Sequence, residues 1–174
     1  MQGYVTYCFS DWMSASFQRG IMRIRDGERV DLPIRRPLRS DEREGREYYV
    51  KPDPDFERGT YSVCHRRLRI ALDAGDLLFF RSLWRGKQYL IGYFSVAEKR
   101  GPDDDPVIIA DLARSRLVHF QLPITLRVAR IINPETRFRR GVADNAVLNG
   151  RLGRNYKRLP PKAADRLVAL CNDL

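Results

Sequence analysis

The sequence predicts an α+β domain built on a curved antiparallel or mixed sheet, or a small β-barrel, with short helices at its periphery. Three observations predict it. Gly75–Ser82 and Tyr89–Val96 are apolar runs of strand length on either side of the segment Trp84-Arg85-Gly86-Lys87-Gln88, the pattern of a β-hairpin buried on at least one face. Further runs of strand length are bounded by turn residues, and helical spacing is confined to short stretches. The chain has 174 residues, 43% of them hydrophobic, enough for one substantial core and too few for two independent domains, so residues 1–174 read as a single unit.

Taken in order, Gly3 to Phe9 alternates through Tyr4, Val5, Tyr7 and Phe9 as a first strand that Ser10-Asp11 ends. Ile21–Ile24 reads as a short strand, Asp26-Gly27 as a turn and Val30–Ile34 as a short extended piece. From Arg35 to Gly59 the chain is polar, charged and punctuated by Pro37, Pro52 and Pro54. With only Tyr48-Tyr49-Val50 as an apolar anchor, 35–59 reads as a long, mobile loop of the kind that contacts a ligand or forms a lid. Tyr61–Leu72 sets Val63, Leu68, Ala71 and Leu72 among His65, Arg66, Arg67 and Arg69, which predicts a short basic helix leading into the hairpin. Asp103-Asp104-Asp105 closes the second hairpin strand with a solvated turn. Val107–Ala110 reads as strand, and Leu112, Ser115, Leu117 and Phe120 suggest a helical turn or two over Asp111–Phe120. After Pro123, Ile124–Ile132 alternates as a strand that Asn133-Pro134 stops. A last helix begins at Pro160-Pro161 and runs through Ala163, Leu167, Val168 and Leu170.

The net charge of +10 comes overwhelmingly from arginine, whose planar fork suits bidentate phosphate contacts and stacking on bases. Nucleic acid is the partner this composition favours. No apolar run approaches the roughly 20 residues that span a bilayer, and Met1-Gln2-Gly3-Tyr4 lacks the layout of a signal peptide, so a cytoplasmic protein without a membrane partner is expected. Cys8, Cys64 and Cys171 are odd in number and far apart, which points to neither a disulfide framework nor a zinc site.

Motifs for familiar chemistry are mostly absent. There is no phosphate-binding P-loop, no GxGxxG after a strand and no GxSxG elbow, and no cofactor is expected. His65 and His119 are too few for the common zinc hydrolase or deaminase arrangements. Asp53-Pro54-Asp55 is the most suggestive carboxylate pair, stiffened by its prolines, and reads first as a turn cap and second as a metal or acid-base site. What the chain does hold is aromatic residues interleaved with basic ones. Tyr4, Tyr7, Phe9 and Trp12 gather at the start, Trp84 stands at the hairpin tip, and Phe138 and Tyr156 lie among arginines. An unstacked base is held between aromatic faces while basic groups grip the flanking phosphates, so this interleaving suits base recognition.

Asp26–Ile34, Asp53-Pro54-Asp55-Phe56, Gly75–Phe80 and Ile91-Gly92-Tyr93-Phe94 resemble, in order and approximate spacing over roughly residues 1 to 130, the nucleotide-modification-associated domains of phage and bacterial systems. The Gly75-Asp76 strand and the following Ile91-Gly92 strand also look like the PUA-like group, which includes the ASCH, EVE and YTH domains. Gly153–Pro161 is similar to the ending of some such domains in restriction proteins. The resemblance implies a PUA-like β-barrel and association with modified DNA bases, DNA being favoured over RNA, without separating a reader from an enzyme. Gly75-Asp76 itself reads as fold-shaping.

The leading expectation is a non-enzymatic domain that recognises a modified or flipped base in a DNA-modification, restriction or phage-related system. Tyr7, Asp11, Trp12, Asn155 and Tyr156 are the candidate base contacts. Arg66, Arg67, Arg69, Lys87, Arg139, Arg140, Arg151, Arg154 and Lys157 are the candidate phosphate contacts. Two alternatives stand beside it. One is a metal-dependent enzyme acting on a modified nucleotide through Asp53 and Asp55 with His65, and the other a protein-binding component of a defence assembly.

Overall fold

The computed structural model describes residues 1–8, 22–23, 29–30, 54–56, 58–62, 64–84, 87–136 and 156–174. Its strands are β1 (Gly3–Tyr7), β2 (Met22–Arg23), β3 (Arg29–Val30), β4 (Thr60–Tyr61), β5 (Leu77–Trp84), β6 (Lys87–Arg100), β7 (Val107–Pro123) and β8 (Lys157–Arg158). Its helices are α1 (Arg66–Ala71), α2 (Leu126–Ile132) and α3 (Ala163–Asn172). Six strands form one mixed sheet in the order β4-β7-β6-β5-β1-β8, and β2 and β3 pair separately. β1 runs parallel to β5, with Gly3 opposite Leu77 and Tyr7 opposite Arg81, and the other pairs are antiparallel. The long strands β6 and β7 curl, so the α+β fold is a half-barrel with short helices, as the sequence predicts.

The expected hairpin is present and longer than the apolar runs alone, with Trp84 paired to Lys87 at its tip. Its start is shaped as Gly75-Asp76 implies. Gly75 takes φ +87, and the Asp76 carboxylate accepts from the amides of Gln2 at 2.7 Å and Asp73 at 3.1 Å.

Two sequence readings are corrected. Asp111–Phe120 is not helical but the middle of β7. The strand bulges there: from the Tyr93–Arg116 pair to the Ser95–Asp111 pair, β6 advances two residues and β7 five. The extra residues break the two-residue alternation and leave an accidental helical spacing. Ile124–Ile132 is not a strand either, because helix α2 occupies it. The Thr125 side chain caps its start by accepting from the Val128 amide at 3.4 Å, and Ile124, Val128, Ile131 and Ile132 are buried at helical spacing. Its β-branched residues had mimicked alternation.

The sheet carries a core on each face. On one, Leu68 of α1 and Leu72 just after it lie over Tyr4, Leu78, Phe80, Ile91 and Phe94, together with Phe56 and Tyr61. On the other, α2 and α3 set Val128, Ile132, Leu167 and Cys171 over Val5, Leu77, Phe79 and Tyr93. Gly92 lies at the seam. It holds φ +149, and a Cβ there would stand 2.3 Å from the Arg116 carbonyl oxygen, so only glycine lets β6 and β7 approach this closely.

Candidate functional site

On the α1 face a cleft of about 830 Å³ is lined by His65, Arg66, Arg67, Ile70 and Tyr156. The volume falls within the range of small-ligand sites. Arg66, Arg67 and Ile70 come from one side of a single helix, and Tyr156 from the residue before β8. His65 precedes α1 in the left-handed conformation, φ 51 and ψ 58, an uncommon geometry for a residue with a side chain. Its ring is fixed from two directions. Nε2 lies 3.4 Å from the Tyr7 carbonyl oxygen, and the ring meets Tyr156 edge to face with centroids 6.2 Å apart. Tyr156 itself packs against the α1-face core.

α1 is held in place by the acidic turn between β6 and β7. Arg69 is buried, its side chain only 3% exposed, and pairs with Asp105 at 2.6 Å while donating to the carbonyl oxygens of Cys64 and Pro106. Arg66 forms the same kind of pair with Asp104 at 2.6 Å, but in the open, with side chains 57% and 77% exposed. Arg67 is exposed and has no acid partner among the described residues.

The structure therefore sorts the predicted contacts. Tyr156, Arg66 and Arg67 meet at one cleft. Arg69 is corrected from a phosphate contact to the buried anchor of α1, because its guanidinium is already satisfied by protein groups. Tyr7 offers the cleft only its carbonyl. By strand alternation its ring lies on the other face, where the Arg81 guanidinium carbon sits 5.2 Å from the ring centroid. Lys157 also falls on that face, since it pairs with Val5, whereas Arg158, opposite Tyr4, shares the face of Tyr156. Arg158 was not singled out in the sequence, and strand alternation was the signal that would have found it. Lys87 is exposed at the hairpin tip, about 10 Å along the strand from Arg81. Asp11, Trp12, Asp53, Arg139, Arg140, Arg151, Arg154 and Asn155 lie outside the described residues, as does most of 35–59.

Comparison with known proteins finds no matching family model and no matching curated relative. The site is therefore read from its own chemistry.

Beneath the sheet end where Tyr7 stops, Arg81 is buried and donates to Gln88 Oε1 at 2.7 Å. Burial lowers its guanidinium pKa to about 10, partly offset by Cys8 and Tyr7, so it remains charged at neutral pH. The Asp55 carboxylate is buried in a turn, where it accepts from the Arg58 amide at 3.0 Å and its backbone bridges Thr60. That is the turn-capping role. Among the described residues no group of three or more His, Cys, Asp or Glu side chains is placed to hold a metal ion, and no helix is long and apolar enough to cross a membrane.

Proposed function

We propose that the protein binds nucleic acid through the α1-face cleft, taking an unpaired, modified or flipped base against Tyr156 and His65 and its flanking phosphates on Arg66 and Arg67. The observation that carries this reading is the convergence of an aromatic pair with two surface arginines in one cleft of about 830 Å³. A base presents a flat apolar face and a charged backbone on either side, and the cleft offers the complement of both. Ile70 adds apolar surface beside the rings. The excess of arginine supports the same partner through long-range attraction. DNA from a modification, restriction or phage-related system is the favoured source, on the resemblance alone.

The test is fluorescence anisotropy on single- and double-stranded DNA and RNA carrying different base modifications, over a salt series. Binding should weaken steeply with salt, and Tyr156→Ala should remove roughly 1–3 kcal/mol at every salt concentration. Arg67→Ala should instead lower the salt slope by about one. Affinity that is indifferent to salt, or to Tyr156, overturns the reading.

A further inference from the structure

The opposite face of the sheet carries a second cavity, of about 530 Å³, between β7 and α3. Buried Leu77, Tyr93 and Ser95 form its floor. One wall is the bulge of β7, and hydrogen bonds fix its shape. Asp111 Oδ1 accepts from the Ala113 amide at 3.0 Å, while Ser115 Oγ donates to the Asp111 carbonyl at 2.6 Å and accepts from the Ser95 amide at 3.0 Å. Such bulges re-aim side chains, and this one brings Arg114 and Arg116 to the same cavity.

The other wall is α3, through Asp165, Val168 and Asn172. Their spacing puts them on one side of the helix, with Asp165 and Asn172 roughly 10 Å apart along its axis. Arg116 Nη1 donates to Asn172 Oδ1 at 3.4 Å, which places the cationic end of the cavity at Asn172. Asp165 then marks the opposite end, with Val168 and Leu77 between. Neither Arg114 nor Arg116 has an acid partner among the described residues.

We propose that this cavity binds a small phosphomonoester of nucleoside-monophosphate size, with its phosphate on Arg114 and Arg116, an apolar ring over Val168 and Leu77, and a hydrogen-bond donor on Asp165. Two guanidinium groups match the charge of a phosphate monoester, which approaches −2 near neutral pH. A plain anion would leave Asp165 and the apolar middle unused. The site is independent of the α1-face cleft, so it can fail or hold without it.

The test is titration of the ¹⁵N-labelled full chain with adenosine 5′-monophosphate, followed by two-dimensional amide spectra, with inorganic phosphate as second probe. Both probes should give saturable shifts at Ser95, Ala113–Arg116 and Asn172, and only the nucleotide should also move Asp165 and Val168. Arg114→Ala, at an exposed position, should weaken both probes roughly tenfold, the loss of one charge-assisted contact. Asp165→Asn should weaken the nucleotide a few-fold and leave phosphate unchanged or slightly tighter, since it removes a like charge from the cavity. Shifts confined to His65 and Tyr156, no saturable shift, or an Arg114→Ala variant of unaltered affinity would overturn the site. Equal affinity for the two probes would overturn its assignment to a nucleotide-sized ligand.

Discussion

Two helices, α2 and α3, close one face of the sheet with aliphatic side chains, whereas the other is closed by the six-residue α1, an aromatic cluster and a pair of arginine–aspartate contacts. On the second face Phe56, Phe80 and Phe94 meet edge to face at centroid distances of 4.8–5.4 Å and supply packing that a longer helix would otherwise give. The difference teaches where binding can be accommodated. Where aliphatic helices seal a face, that part of it has little polar surface to offer. A short helix anchored by a buried arginine leaves its outer side, with Arg66, Arg67 and Ile70, to line an open cleft. The cavity beside α3 arises where a bulge interrupts the aliphatic seal.

The largest expected effect removes the distinction altogether. Gly92→Val forces a side chain into a φ that glycine alone takes easily and against the Arg116 carbonyl and Leu117 backbone. Strain and overpacking together should cost about 4 kcal/mol or more, loosening both faces at once. Urea unfolding followed by circular dichroism measures it, and a loss below about 1 kcal/mol would mean that β6 and β7 are not locked at this seam.

A matched pair of variants separates the faces. Leu167→Ala empties a fully buried site under α3 and should cost about 2–5 kcal/mol at any salt concentration. Arg69→Met keeps the volume under α1 but leaves the Pro106 and Cys64 carbonyls without their donor, while the exposed Asp105 is resolvated, a loss of about 2 kcal/mol. Unfolding in low and high salt is the measurement. Raising salt should narrow the gap between wild type and Arg69→Met and leave the Leu167→Ala gap unchanged.

Alkali should act through the aliphatic face. Burial, with a small opposing effect from Arg116, raises the Cys171 thiol from 9.0 to about 12. The folded state therefore holds a proton that the unfolded chain releases. Stability is fully present below pH 9 and is lost between pH 9 and about 12, at about 1.4 kcal/mol for each pH unit. Cys171→Ala should flatten this slope in urea midpoints taken across the window. Tyr4 and Tyr93, both raised chiefly by burial, should leave a residual decline of the same sign.

How far these features were legible in the sequence follows from what each depends on. The hairpin from Gly75 to Val96 is local, and its strands alternate between turn signals, so its residues were readable. β7 was hidden because a bulge is a relation between two strands, invisible in either alone. α2 was hidden because Ile, Val and Thr satisfy both periods. Arg66 and Arg67 were recognisable as cations by type, but their meeting with Tyr156 was not, and nothing local separates Arg69 from them. Its burial depends on Asp105, thirty-six residues away, folding back over α1. Tyr7 was identified by type, but the direction of its ring depends on which residue of β1 faces Arg81. Composition thus pointed to a binding chemistry, and only the register of the sheet divided the residues between two faces.

The smallest expected effect on stability carries the most information about the cleft. Asp104 and Arg66 are both largely exposed, so Asp104→Asn should change stability by less than about 1 kcal/mol. Its effect on binding should be larger. The Asp104 carboxylate occupies the Arg66 guanidinium much as a ligand phosphate would, and a nucleic acid bound in the way proposed would have to displace it. Removing that charge loosens the hold on Arg66 Nη2, while Nε still donates to the Asp104 carbonyl oxygen, and takes one negative group from beside Arg66. Affinity for a single-stranded oligonucleotide should rise by roughly two- to fivefold at low salt and converge on wild type as salt screens the exchange. Anisotropy titrations of Asp104→Asn and of Asp104→Asn with Arg66→Ala decide the point. If the gain survives loss of Arg66, Asp104 acts only by general repulsion; if it vanishes, the acidic turn that anchors α1 through Asp105 also regulates the cleft through Asp104.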